Sequence, residues 1–139
     1  MDVLRSKNVG IISIIPDATV YEAIELLAEK NVGALLIMED NKLVGILSER
    51  DYARKVILKG RSSKETLIRE VMTQQILVIN PGTSIEECMA LMSEKFIRHL
   101  PVIEDGRVIG VISIGDVVQA IISEQHFLIN NLQQYIMQG

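Results

Sequence analysis

The sequence predicts a mixed α/β (α+β) fold made of two similar units, each ordered β-α-β-β-α. Three observations predict it. A long stretch recurs at a fixed offset: Pro16 pairs with Pro81, 65 residues on, and the same spacing joins Glu22/Glu87, Leu26/Leu91, Leu35/Leu100, Asp40/Asp105, Gly45/Gly110, Ser48/Ser113 and Asp51/Asp116. Within each copy the apolar pattern passes from a short run to helical spacing, and then to two runs around a turn dipeptide. The chain has 139 residues and is 48% hydrophobic, enough for one compact module in which two repeats, each marginal alone, pack face to face around a pseudo-two-fold axis with paired clefts between them.

The elements follow in order. Ile11–Ile15 and Ile76–Ile79 read as strands ended by Pro16 and Pro81. A helix comes next: Val20, Ala23, Ile24, Leu27 and Asn31 share one face, Glu22, Glu25 and Glu29 the other. Thr19 and Ser84 are its expected N-caps in the two copies. The segments ALLIMEDNKLVGIL and HLPVIEDGRVIGVI read as hairpins turning at Asp40-Asn41 and Asp105-Gly106. A second helix begins near Glu49 and Ile114. The boundaries expected are 8–60 for repeat 1, 61–72 for a connecting segment, 73–125 for repeat 2 and 126–139 for a helical tail. In the connecting segment Ser63 is expected to cap a short helix carrying Leu67, Ile68 and Val71. In the tail Phe127, Leu128, Leu132, Tyr135 and Ile136 recur at helical spacing, suited to docking on the chain's own core or to a subunit interface.

Charge and composition narrow the function. A net charge of −4 and a pI near 5.2 argue against nucleic-acid binding through a broad basic face. The single cysteine, Cys88, allows no internal disulfide and falls on an apolar helix face, as a buried inert thiol would. The first ten residues lack the features of a signal peptide, and no apolar run reaches the length of a membrane span. The chain is therefore expected to be soluble and cytoplasmic. Neither a phosphate-binding GxxxxGK[ST] loop, nor metal-spaced His and Cys residues, nor a nucleophile poised beside a base points to an enzyme.

The residues that carry chemistry cluster where each hairpin meets its second helix. In Ser113-Ile114-Gly115-Asp116 the hydroxyl and carboxylate flank a helix start, whose unpaired N–H groups favour anions. A carboxylate one turn into the helix can accept both hydroxyls of a ribose. One copy of this pattern would serve as an ordinary capping box; two copies at one offset favour a site. Arg98 and His99 open a strand that is otherwise apolar, and successive strand residues point to opposite faces. The counterparts in repeat 1 are Ser48, Arg50 and Asp51, but Gly33 and Ala34 replace Arg98 and His99. The nearest cations there are Arg50, Arg54, Lys55, Lys59, Arg61 and Lys64. His126, with no motif around it, reads as a surface residue.

The GILSERD and GVISIGD segments, the RHLPVIED strand and the repeated β-α-β-β-α order resemble a CBS-domain pair, the tandem module also called a Bateman module, over nearly the whole chain. The resemblance implies a non-catalytic regulatory module. Such pairs bind AMP, ADP, ATP, NAD(H) or S-adenosyl ligands between their repeats, signal to a partner protein and commonly form homodimers. It implies one site in which Asp116 holds ribose, Arg98 and His99 meet phosphate, Ser113 bonds ribose or phosphate, and Val111, Val32 and Gly33 flank adenine. It implies a second with Ser48, Arg50 and Asp51, flanked by Ile46 and Ile97. AMP or a related adenosine nucleotide is the ligand expected; an interaction adaptor with no physiological ligand is the alternative.

Overall fold

The structure, a computed structural model, describes residues 11–138, without the side chains of residue 127 and residues 133–138. The expectation for the amino terminus, and those for the side chains of Phe127, Tyr135 and Ile136, lie outside the described residues. The chain divides into two compact units, Gly10–Leu77 and the part from Val78 onward.

In the first unit, β1 (Ser13–Ile14) runs parallel to β2 (Ala34–Glu39), which pairs antiparallel with β3 (Lys42–Ser48). Between β1 and β2 lies α1 (Val20–Lys30). Thr19 caps it: its hydroxyl accepts the Glu22 N–H at 3.2 Å, and the Glu22 carboxylate accepts the Thr19 N–H at 2.9 Å. The helix stops at Asn31, which turns left-handed with φ 54°, a conformation that short polar side chains tolerate. Val20, Ala23 and Leu27 of α1 pack with Leu35, Ile37 and Leu47 of the sheet and with Val56, Ile68 and Val71. Each fully buried aliphatic side chain stabilises the unit by about 1.5–3 kcal/mol. The hairpin turns through positive φ at Asp40 and Asn41, which matches the twist of its strands.

The second unit repeats this plan. Ser84 caps α4 (Ile85–Lys95), its hydroxyl accepting the Glu87 N–H at 3.1 Å. The helix again ends left-handed, here at Phe96 with φ 54°. Strands β4 (His99–Glu104) and β5 (Arg107–Ser113) form an antiparallel pair turning through positive φ at Asp105 and Gly106. The irregularity in the first hairpin at Ile37/Met38 reappears at Val102/Ile103. Cys88 is buried, with Met92, Leu100, Val102, Ile112 and Val117 in the same core. Burial raises its thiol pKa, with a smaller contribution from Glu87.

Four expectations are corrected. The first strand is shorter than Ile11–Ile15, covering only Ser13–Ile14. The strand expected at Ile76–Ile79 contracts to a single bridge, Ile79 to Val102. Proline explains the contraction: Leu36 donates its N–H to Ile12 at 3.3 Å in the first unit, whereas its counterpart Pro101 has no N–H to give. Ser63 does not cap the connecting helix. That helix, α3 (Ile68–Val71), starts after Leu67, whose N–H bonds the Glu70 carboxylate at 2.8 Å, while the Ser63 carbonyl accepts from Tyr21. The second helices also differ. In repeat 2 it is the 25-residue α5 (Ile114–Gln138); in repeat 1 a short α2 (Glu49–Asp51) widens into a π-helical segment, Tyr52–Ile57.

The connecting segment is firmly docked on its own unit. Thr66 accepts from Val20, Ile68 donates to Ala18 and Arg69 donates to Pro16, at 2.8–2.9 Å. The Arg69 guanidinium pairs with Asp17 at 3.0 Å and Glu39 at 2.7 Å. Among the described residues no helix is long and apolar enough to cross a membrane.

Two outcomes are expected. A Cβ at Gly45 would stand 2.5 Å from Met72 Sδ and 3.2 Å from the Thr73 carbonyl oxygen, so Gly45→Ala should cost about 1–3 kcal/mol, read from the urea midpoint. Cys88 should react with a thiol reagent at the rate of global unfolding under native conditions, because its thiol is both buried and held protonated.

Candidate functional site

Both hairpins end on the same device. In the second unit β5 closes at Ser113 and α5 begins at Ile114. Asp116 Oδ2 accepts the Ser113 N–H at 2.8 Å, and Ser113 Oγ accepts the Asp116 N–H at 3.1 Å. The Ile114 N–H donates to the Arg98 carbonyl at 2.8 Å. His99 lies opposite Ser113 in the β4–β5 register. Four of the expected residues, Arg98, His99, Ser113 and Asp116, therefore gather at one strand-to-helix junction. Arg98 is exposed; His99, Ser113 and Asp116 are half-buried. Val111 lies opposite Pro101, and Ile97 donates to the Met92 carbonyl and packs against the unit's core.

In the first unit the same bonds recur. Asp51 Oδ2 accepts the Ser48 N–H at 3.0 Å and the Ser48 hydroxyl at 3.1 Å, and Ser48 Oγ accepts the Asp51 N–H at 3.1 Å. The Glu49 N–H donates to the Gly33 carbonyl at 3.0 Å, as Ile114 does to Arg98. Val32 packs against the core of this unit, and Arg50 is half-buried at the helix start. The capping bonds aim both carboxylates: one oxygen is committed to the backbone, and the other is held in a set direction.

Sequence reasoning named Lys55 among the nearby cations but missed its contact with Asp51 and missed Thr73 altogether. Thr73 Oγ1 lies 3.3 Å from Asp51 Oδ1, and Lys55 Nζ lies 3.3 Å from the same oxygen. Lys55 also donates to the Val71 carbonyl at 3.1 Å and to Thr73 Oγ1 at 3.4 Å. Thr73 is fixed by its backbone, which exchanges two bonds with Ile46 at 2.9 and 3.0 Å. The Asp51 side chain is 15% exposed, so these contacts form in partly dry surroundings. The i,i+4 spacing of Asp51 and Lys55 was a readable signal. Thr73 was not readable, because its approach depends on the docked connecting segment. At the position equivalent to Lys55 the second repeat has Ala120. Elsewhere, His126 is exposed, and among the described residues no group of three or more His, Cys, Asp and Glu side chains could hold a metal ion.

Comparison with known proteins agrees with the repeat. The sequence profile of the CBS domain matches residues 3–58 and 68–123. The chain is similar to the mitochondrial CBS domain-containing protein CBSX3 of Arabidopsis thaliana, 43% identical over 128 residues. That match covers 88% of this chain and 62% of the plant protein, so the chain spans under two thirds of that relative's length. It is similar to YhcV of Bacillus subtilis, 35% identical over 101 residues, covering 73% of this chain and 71% of that one. Among solved structures, a protein with CBS domains from Burkholderia ambifaria MC40-6 superposes with a TM-score of 0.86 at 46% identity, covering 89% of this chain and 93% of its own. With two matched copies of the domain, a shared fold and relatives of this similarity, the chain belongs to the CBS-domain family.

Proposed function

We propose that the chain is a cytoplasmic, non-catalytic regulatory module that binds an adenosine nucleotide and passes its occupancy to a partner protein. AMP is the ligand favoured, with ADP, ATP and NAD(H) as related forms. The observation that carries the reading is the duplicated Ser-x-x-Asp junction, where backbone bonds hold a half-buried carboxylate at a helix start. A carboxylate so held suits the paired hydroxyls of a ribose. The Arg98 guanidinium and the His99 ring, beside Asp116, suit the phosphate. In this reading the Asp116 junction binds mononucleotides more tightly, because Arg98 and His99 stand beside it where repeat 1 has the uncharged Gly33 and Ala34.

A homodimer is part of the same proposal. The helix α5 exposes Ile114, Val118, Ile122, Leu128, Ile129 and Leu132, a row of apolar side chains that a second copy of the chain would cover. This row also favours a second reading, an interaction adaptor without a ligand. A thermal-shift panel of AMP, ADP, ATP, NAD, NADH and S-adenosylmethionine separates the two, since an adaptor shows no shift.

Titration calorimetry tests the sites. Asp116→Ala should weaken AMP by roughly 10- to 100-fold, the effect of losing charge-assisted hydrogen bonds worth ~1.5–3 kcal/mol; unchanged affinity would refute the assignment. Light scattering at micromolar concentration should give twice the 15.5 kDa chain mass. A strict monomer would remove the dimer from the proposal.

A further inference from the structure

We propose that Lys55 is a specificity-determining residue of the repeat-1 junction, restricting it to phosphorylated ligands. The proposal rests on the reading of Asp51 as a ribose acceptor and adds what decides which ribosides enter. The Lys55 ammonium has three N–H groups and three protein acceptors: Asp51 Oδ1 at 3.3 Å, the Val71 carbonyl at 3.1 Å and Thr73 Oγ1 at 3.4 Å. Asp51 Oδ2 takes the Ser48 N–H and hydroxyl, and Thr73 Oγ1 lies between the two carboxylate oxygens, 3.3 Å from Oδ1 and 3.4 Å from Oδ2, so a ligand diol must reach Oδ1, the oxygen that Lys55 also holds.

One of those two groups has to move. The Thr73 backbone is bonded to Ile46 in both directions. Lys55 is the mobile member, with a side chain 42% exposed on a flexible four-carbon stem. When a diol takes its place, the ammonium leaves a carboxylate that is only 15% exposed and needs a new anion nearby. An uncharged nucleoside supplies none. In the proposal a nucleotide phosphate supplies one, so opening the pair costs the nucleoside more than the nucleotide.

The backbone supports this assignment. Lys55 sits in the π-helical segment Tyr52–Ile57, a departure from α geometry that frequently marks functional positions. In the regular helix α5 the equivalent position is Ala120, which carries no charge, so this mechanism belongs to repeat 1.

The test uses the full chain with Asp116→Asn, leaving the Ser48–Asp51 junction intact, and measures AMP and adenosine by calorimetry. Adding Lys55→Met should weaken AMP by about tenfold or more, one charge-assisted bond, and leave adenosine equal or tighter. Lys55→Arg should restore most of the AMP affinity. A constant AMP-to-adenosine ratio across all three proteins overturns the proposal; so does an equal loss of both ligands, which would make Lys55 a packing residue. Asp51→Asn in the same background distinguishes the underlying reading: if it leaves both affinities intact, the ribose assignment fails and the proposal with it. If it abolishes binding while Lys55→Met leaves the ratio unchanged, only the role of Lys55 fails. An independent readout is the Lys55 ammonium resonance in the Asp116→Asn chain, which saturating AMP should shift; an unmoved resonance overturns the proposal.

Discussion

Each unit depends on the bond that closes its hairpin onto its second helix. The first N–H of that helix reaches back to the residue just before the hairpin, Glu49 to Gly33 and Ile114 to Arg98. An aspartate one turn later ties its carboxylate to the strand's last N–H. Helix starts leave N–H groups unsatisfied; here some are answered from the sheet, which couples strand and helix directions. The same bonds hold the carboxylate in place, so the support of the fold and the chemistry of the candidate site share their atoms.

This coupling explains why so much was legible in the sequence. The offset of 65 predicts element order, and the structure repeats even its irregularities at that offset. The left-handed helix ends at Asn31 and Phe96, the positive-φ turns at Asp40 and Asp105, and the strand irregularities at Ile37 and Val102 all correspond. Phe96 shows that position outweighs propensity: an aromatic residue takes φ 54° because the chain must turn there. The junction residues were legible for the same reason, being local and repeated.

What escaped the sequence was not local. Ser63 had the composition of a cap, but the connecting segment docks by its carbonyls and amides along Pro16–Tyr21, and that docking sets where α3 begins. Thr73 meets Asp51 across 22 residues of chain, a contact that no periodicity announces. The π-helical turn had no sequence signal either, although it separates the two second helices more than any single substitution does. The two junctions are alike in their backbones and unlike in their surroundings, with Lys55 and Thr73 beside Asp51 and a neutral alanine at the Lys55 position of the other.

Pro101 carries a consequence for how the molecule opens. The counterpart of β1 in the second unit is attached to β4 around Ile79 alone, through Ile79 N–H to Pro101 at 2.9 Å and Ile103 N–H to Ile79 at 2.8 Å. Two bonds at one residue form a hinge rather than a seam. Local unfolding draws on the segments with the fewest cooperative contacts, so amide hydrogen exchange in the second unit should spread outward from the stretch before Asn80. In the first unit two residues, Ser13 and Ile14, join the parallel pair, and the connecting segment lies across the start of α1.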